Sequence, residues 1–390
     1  MSQHDRDRAR ERLLKVLEEL NRRVVGHEEV HNLLMLALIA REHAVMISPP
    51  GTAKTYTIKL LAKMLGASFY SYLLTRFTTD IEILGPFDIP TLRDKGELIR
   101  KWSKIKDAEI VFLDEIFKAN SAILNALLAL MQERILYDPM TGAEIPTKLW
   151  SLFGASNEVP QDEELQALYD RFALRIFFDY LRDDASILQA LHAKWLNANC
   201  VQQIASMDDV RALHDYAMKI IRGGIKGLGK FIDVYHVNVV NFVKELRSKG
   251  VIVSDRTIIE KLPKLVAAYC ALHGLTVDNL LNAGINLLPY LARDRSEHEQ
   301  IKKIINEGLG EVGELARKLE EAKAKMAGGD LQSAMKILEE IMSFDLSKIA
   351  SRPWLKPRAE AIISTARKYY SFVQQQLETL KKMAETTINS

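Results

Sequence analysis

Residues 43–55 read HAVMISPPGTAKT, and residues 110–115 read IVFLDE. In the first stretch a short apolar run (43–47) has charge before it and SPPG after it. An apolar run that stops at a turn is how a parallel strand covered on both faces reads. Helical periodicity resumes over 55–65, so the stretch predicts strand, turn and helix. The turn, SPPGTAKT at 48–55, is a variant of the phosphate-loop pattern GxxxxGK[ST]. Lys54 and Thr55 are in place, while Ser48 and Ala53 occupy the two glycine positions. Helix N-termini attract anions because their first amides lack partners and the dipole is positive there. Gly51 can take the positive φ that wraps the chain around a phosphate, and Pro50, Thr52 and Ala53 complete the loop. Lys54 would then meet the β- and γ-phosphates of ATP, and the Thr55 hydroxyl would ligate Mg²⁺. An ordinary Pro-Gly turn ahead of a helix is the competing reading of this segment alone.

The second stretch puts two carboxylates at the end of a buried strand. That is the carboxyl edge of a sheet, where α/β proteins bind ligands. Asp114 there suits Mg²⁺, which favours carboxylates and keeps waters. Glu115 could orient and deprotonate an attacking water. The plainer alternative is that the pair caps the helix beginning near Asn120. Asn157 ends the next apolar strand, LWSLFGASNE (149–158), where an amide could position water or touch a γ-phosphate. Arg171 lies in LYDRF (168–172) and Arg256 in VSDRT (253–257). Either would ordinarily be a solvated or structural arginine.

Working outward, helices are expected at 8–22, up to 40 and over 121–133, and further strands at 68–74, 149–155 and 175–178. Strand–helix alternation implies an α/β fold with a parallel sheet covered on both faces. From 183 onward the periodicity is helical, broken at 223–230, 250–254, Gly328–Gly329 and 351–357, with a final helix over 359–386. A chain of 390 residues exceeds one ordinary core. The expected division is 1–182, 183–292 and 293–390. The net charge of +2 gives no strong global pull toward nucleic acid. Cys200 and Cys270 lack metal or redox spacing and read as small hydrophobes. The charged N-terminus is not a secretory signal, and the nearby apolar run 33–40 is too short to span a bilayer. A cytoplasmic location is expected.

VVGHEEV, SPPGTAKT, LLTRFTTDIEILGPFDI, EIVFLDEIFKANSAILNALLALMQER, GASNE and LYDRF occur in this order. Together they resemble AAA+ ATPases, and more narrowly the MoxR family; VSDR at 253–256 makes the set most similar to the RavA branch. The resemblance covers about residues 24–290. It implies a P-loop AAA+ core, a helical lid and a C-terminal helical module. By this resemblance Val24, Val25 and Gly26 contact adenine, and Lys54 and Thr55 are the phosphate-loop lysine and magnesium hydroxyl. Asp114 and Glu115 match the Walker B aspartate and catalytic glutamate, and Asn157 the sensor-1 residue. Arg171 is placed like an arginine finger acting on a neighbour's ATP, and Arg256 like the sensor-2 arginine. Ser48 and Ala53 depart from the general loop pattern, which bears on turnover more than on binding.

Two insertions also fit the resemblance. Residues 77–102 resemble the insertion in the second helix of this clade, and ILYDPMTGAEIPTKLW (135–150) reads as a hairpin with a turn at 139–142. In related motors such loops grip a client in a ring pore; surface loops without a client role are the alternative. The resemblance implies a homo-oligomeric, hexameric ring that remodels a protein client or inserts a cofactor, beside a von Willebrand factor A domain protein. Glu and Lys interleave in the last hundred residues, the pattern of solvated helix faces, so no nucleic-acid arm is expected. A DNA-acting motor and an ATP-gated scaffold that does not hydrolyse are the two rival readings.

Overall fold

The computed structural model describes residues 3–138, 140–181, 184–196, 201–225, 229–350 and 352–388. Pro139, Cys200 and the expected boundary at 182/183 lie outside them. The chain divides into two compact units, each discontinuous in sequence. Unit 1 holds Met1–Ile225, Asp255–Leu275 and Tyr290–His298; unit 2 holds Lys226–Ser254, Thr276–Pro289 and Glu299–Ser390.

In unit 1, α1 (Gln3–Arg23) turns Ala9, Leu13, Val16, Leu17 and Leu20 inward, the stripe of an amphipathic helix. α2 (Glu28–Ala40) is buried at every position from Leu33 to Ala40, so it is an interior helix rather than a surface one. β1 (Ala44–Ile47), α3 (Lys54–Met64) and β2 (Phe69–Leu73) follow, then two short helices, α4 (Asp80–Leu84) and α5 (Ile89–Lys95). Next come β3 (Ile110–Asp114), α6 (Ser121–Glu133), the short strands β4 (Ile135–Tyr137) and β5 (Glu144–Pro146), β6 (Ser151–Ser156), α7 (Glu163–Tyr169) and β7 (Leu174–Phe177). α8 (Asp184–Leu196) and α9 (Met207–Ile221) complete the first segment of the unit.

The sheet runs β2-β3-β6-β1-β7 with every pairing parallel. Ile47 lies beside Ser156, Leu73 beside Asp114 and Leu113 beside Gly154. The carboxyl ends of β1, β3 and β6 therefore share one edge, and the turns leaving it carry Ser48, Glu115 and Asn157. On one face Val45, Val111, Leu113 and Leu152 pack with Ile123, Leu127 and Leu130 of α6 and with Phe172. Each such buried side chain contributes about 1.5–3 kcal/mol. A Cβ on Gly154 would lie 3.0 Å from Phe172 and 3.2 Å from Ile116, so any larger residue there would press on both side chains. β4 and β5 pair antiparallel, the expected hairpin. The other insertion is built on α4, α5 and a single antiparallel bridge between Phe87 and Arg100.

The remaining helices are α10 (Gly229–Ser248), α11 (Leu262–His273), α12 (Val277–Asn286), α13 (Arg295–Ala327), α14 (Leu331–Met342) and α15 (Lys356–Ile388). α11 belongs to unit 1, whereas α10, α12, α14 and α15 belong to unit 2. Gly329, at φ +80°, separates α13 from α14. The expected connection at 351–357 is shorter than read: Pro353–Leu355 makes one 3₁₀ turn and α15 starts at Lys356. Pro357 is admitted because a helix's first turn does not need its amide. Cys270 is buried, and burial pushes its thiol up to about 12, so it is an inert apolar filler. No described helix is long and apolar enough to cross a membrane. The architecture is an α/β P-loop AAA+ core with a helical C-terminal part.

Candidate active site

The loop between β1 and α3 is locked from within. Ser48 is buried, its amide donates to Ser156 O (3.1 Å), and its hydroxyl lies 2.7 Å from the Thr52 hydroxyl. Lys54 Nζ donates to Ser48 O (2.7 Å), Pro49 O (3.0 Å) and Ser48 Oγ (3.1 Å). Serine in the first glycine position thus adds one hydroxyl acceptor to the two backbone carbonyls that hold the lysine. Burial lowers the Lys54 pKa, and the charges of Asp114 and Glu115 oppose that shift. Gly51 sits at φ +84° with no atom within 4 Å of where a Cβ would be, so the loop opens to a ligand there. Ala53 caps α3 at φ 63°, ψ 18°, the left-handed region that a glycine would take without strain.

Two pairs of predicted residues converge at the sheet edge. The Thr55 hydroxyl donates to Asp114 Oδ2 at 3.2 Å, although the two are 59 positions apart. Asn157 Nδ2 donates to Glu115 Oε1 at 3.1 Å. Lys118 Nζ lies 3.3 Å from the other oxygen, Glu115 Oε2. Glu115 itself is left-handed (φ 53°), where the strand breaks into the 3₁₀ turn Ile116–Lys118. Its amide donates to Asp114 Oδ1 at 3.0 Å. An amide and an ammonium thus hold the two oxygens of the carboxylate.

Val24 and Val25 are buried, and Gly26 is at φ +84° with its amide donating to Glu28 Oε1 at 3.0 Å. A Cβ on Gly26 would fall 2.2 Å from Leu181, so this segment packs tightly on the chain leaving β7. Tyr180, from that same stretch, donates its hydroxyl to Pro50 O at 2.9 Å. Arg171 follows α7, and its Nε is buried with no partner among the described residues. Arg256 is mostly exposed and pairs with Glu260 at 3.1 Å, one turn along, rather than with the phosphate loop.

A family model for the MoxR domain of the MoxR-vWA-beta-propeller ternary systems matches residues 11–215. The chain belongs to the MoxR family. An uncharacterized protein of Methanocaldococcus jannaschii is 35% identical over 67% of this MoxR chain; the match takes in 66% of that relative's length. Chaperone MoxR1 of Mycobacterium tuberculosis is 25% identical over 53% of this chain and 54% of its own. A crystal structure from Cytophaga hutchinsonii, described as a candidate ATPase, aligns with TM-score 0.59, 19% identity, and coverage of 78% of this chain and 96% of that one. At that identity the likeness supports the fold alone.

Sequence reading of this MoxR chain missed three contributors. Lys118 sits at i+3 from Glu115, a spacing that could have flagged it. Tyr180 carries no local signal. Lys261, which holds the backbone beside Arg171, carries none either.

Proposed function

We propose that this chain is an ATP-hydrolysing AAA+ motor subunit of MoxR type, nearest the RavA branch. The observation that carries the reading is the approach of the Thr55 hydroxyl to Asp114 at the mouth of the phosphate loop. Hard oxygen donors, a helix N-terminus, a buried lysine and an open Gly51 suit a magnesium nucleotide. Lys54 would exchange its loop carbonyls for the β- and γ-phosphates. Thr55 and Asp114 would hold Mg²⁺, directly and through water. An ion held there would supply positive charge to offset the charge that develops on the phosphates. Glu115, steadied by Asn157, takes a proton from the attacking water. Val24, Val25 and Gly26 flank the adenine side, with Pro50, Gly51, Thr52 and Ala53 around the phosphates. Arg171 acts on a neighbour's γ-phosphate, where an arginine supplies roughly 10³–10⁵ in rate in the best-studied cases. Arg256 senses the nucleotide from the lid.

The same proposal divides the chain into an AAA+ domain (1–182), a lid (183–292) and a C-terminal module (293–390). It works in the cytoplasm as a homo-oligomer, a hexameric ring. Its partner is a von Willebrand factor A domain protein, a reading supported by the ternary system named for the matching family. Chaperone-like remodelling of a protein client is supported by the name of the mycobacterial relative. Steady-state ATPase and nucleotide binding of Glu115→Gln test the reading. Turnover should fall by about 10²–10⁴ with binding kept. A wild-type rate no faster than that of the variant would leave a nucleotide-gated scaffold.

A further inference from the structure

Arg171 lies between two backbone carbonyls gripped from a distant part of the chain. Lys261 Nζ donates to Asp170 O at 2.7 Å and to Phe172 O at 3.1 Å. Phe172 is fully buried in the core, and Asp170 Oδ1 accepts from Arg175 Nη2 at 2.8 Å. Arg175 is itself buried, with its guanidinium 4.3 Å from the Tyr169 ring centre. The backbone on both sides of Arg171 is therefore fixed, while its own Nε has no partner among the described residues. Lys261 closes the π-helical turn Thr257–Lys261, which starts directly after Arg256. Such turns are uncommon and concentrate at functional sites.

We propose that Lys261 is a positioning residue for Arg171, and that it ties the place of this arginine to the helical turn that carries Arg256. The inference rests on the reading of Arg171 as the finger and Arg256 as the sensor. A finger works only if its guanidinium is delivered to within a fraction of an ångström. Lys261 sets that position by holding the two peptide groups that flank the finger. Any rotation of the Arg256 turn on nucleotide binding or release pulls on Asp170 and Phe172. One subunit's nucleotide state is thereby passed to the arginine it offers its neighbour.

The charges around Lys261 make the clamp sensitive to pH. Burial lowers its pKa to about 8; Arg175 and Arg256 push the same way, and Glu42 and Asp170 oppose them. Lys264, paired to Glu42 at 2.6 Å, and His43 border the same ammonium. The charge-assisted grip weakens as pH rises through about 8. Arginine at this position would stay charged and keep it.

The test uses the full chain, with ATPase kcat and binding of a fluorescent ADP analogue measured for Lys261→Met, Lys261→Arg, Arg171→Ala and the double variant Lys261→Met/Arg171→Ala. Lys261→Met should lower kcat by about 10–100-fold, the scale of a small misplacement of a catalytic group, with nucleotide binding kept. The double variant should be no slower than Arg171→Ala alone, because Lys261 acts through Arg171. Full activity in Lys261→Met overturns the proposal, and so does a loss that adds in full to that of Arg171→Ala. A silent Arg171→Ala overturns the finger reading and this inference together; a crippled Arg171→Ala beside a silent Lys261→Met overturns the inference alone. Should Lys261→Met not fold, Lys261→Arg decides: it should retain the rate and move the alkaline limb of the pH–kcat profile up from about pH 8. An unmoved limb overturns the clamp.

Discussion

Ala53 shows how a single residue sets the character of the phosphate loop. It holds φ 63° at the N-cap of α3, where an L side chain strains and glycine does not. Ala53→Gly should therefore stabilise the folded chain by up to about 1 kcal/mol, less whatever entropy glycine adds to the unfolded chain. Urea unfolding followed by circular dichroism checks this, and a clear loss of stability would contradict it. His31 and His43 act on stability through protons. Both are buried, and burial lowers each pKa to about 3. His43 Nδ1 accepts from the Leu152 amide at 2.9 Å, and Nε2 lies 3.0 Å from Met131 O, which suits the neutral ring. The unfolded chain takes up protons below about pH 6.5, and the folded chain does not. This part of the stability is thus complete above pH 6.5 and is lost as pH falls toward about 3, at up to about 1.4 kcal/mol per pH unit per group. Unfolding free energies at pH 7 and 5 should show the drop, and His43→Asn should flatten it. Residues inside contiguous motifs (Lys54, Thr55, Asp114 and Glu115) were legible because their chemistry is written in neighbouring letters. Tyr180 and Lys261 were not, since they reach the site across 130 and 91 positions.

At the scale of elements, Arg100 joins the two insertions. Its guanidinium is 1% exposed and pairs with Asp138 (3.2 Å, 0% exposed) in the hairpin and with Asp80 (2.9 Å) in α4, and it also donates to Gly85 O at 2.7 Å. Burial alone would raise the pKa of Asp138. Hydrogen bonds from Arg100, Thr141 and the Met140 amide outweigh it, so Asp138 stays ionised. Arg100→Met would leave a buried carboxylate without its cation, at a cost of about 3–5 kcal/mol. Hydrogen exchange should then speed up in both insertions together. Acceleration in one insertion alone would mean they are independent. β1 and β3 were readable because doubly covered parallel strands are near-continuous apolar runs, β6 and β7 from the apolar residues flanking Ser151 and Arg175, and the hairpin because its turn chemistry is local. α4 and α5 were not read, since helices of five and seven residues are too short to show a period. The start of α15 was placed late because Pro357 reads as a stop until the helix is known to begin one residue before it.

For the molecule as a whole, the α/β class followed from strand–helix alternation, and the helical remainder from its period. The interleaved units could not be read in the same way. Residues 255–275 and 290–298 join the sheet unit through tertiary packing, which leaves no mark on linear composition. In the proposed motor the active site is shared between subunits, and Arg171 completes a neighbour's. Its most direct test is specific ATPase activity against protein concentration, for the wild type and for Arg171→Ala. Activity per subunit should rise with concentration in the wild type and collapse in the variant while nucleotide binding survives. Flat activity per subunit together with a silent Arg171→Ala would contradict it.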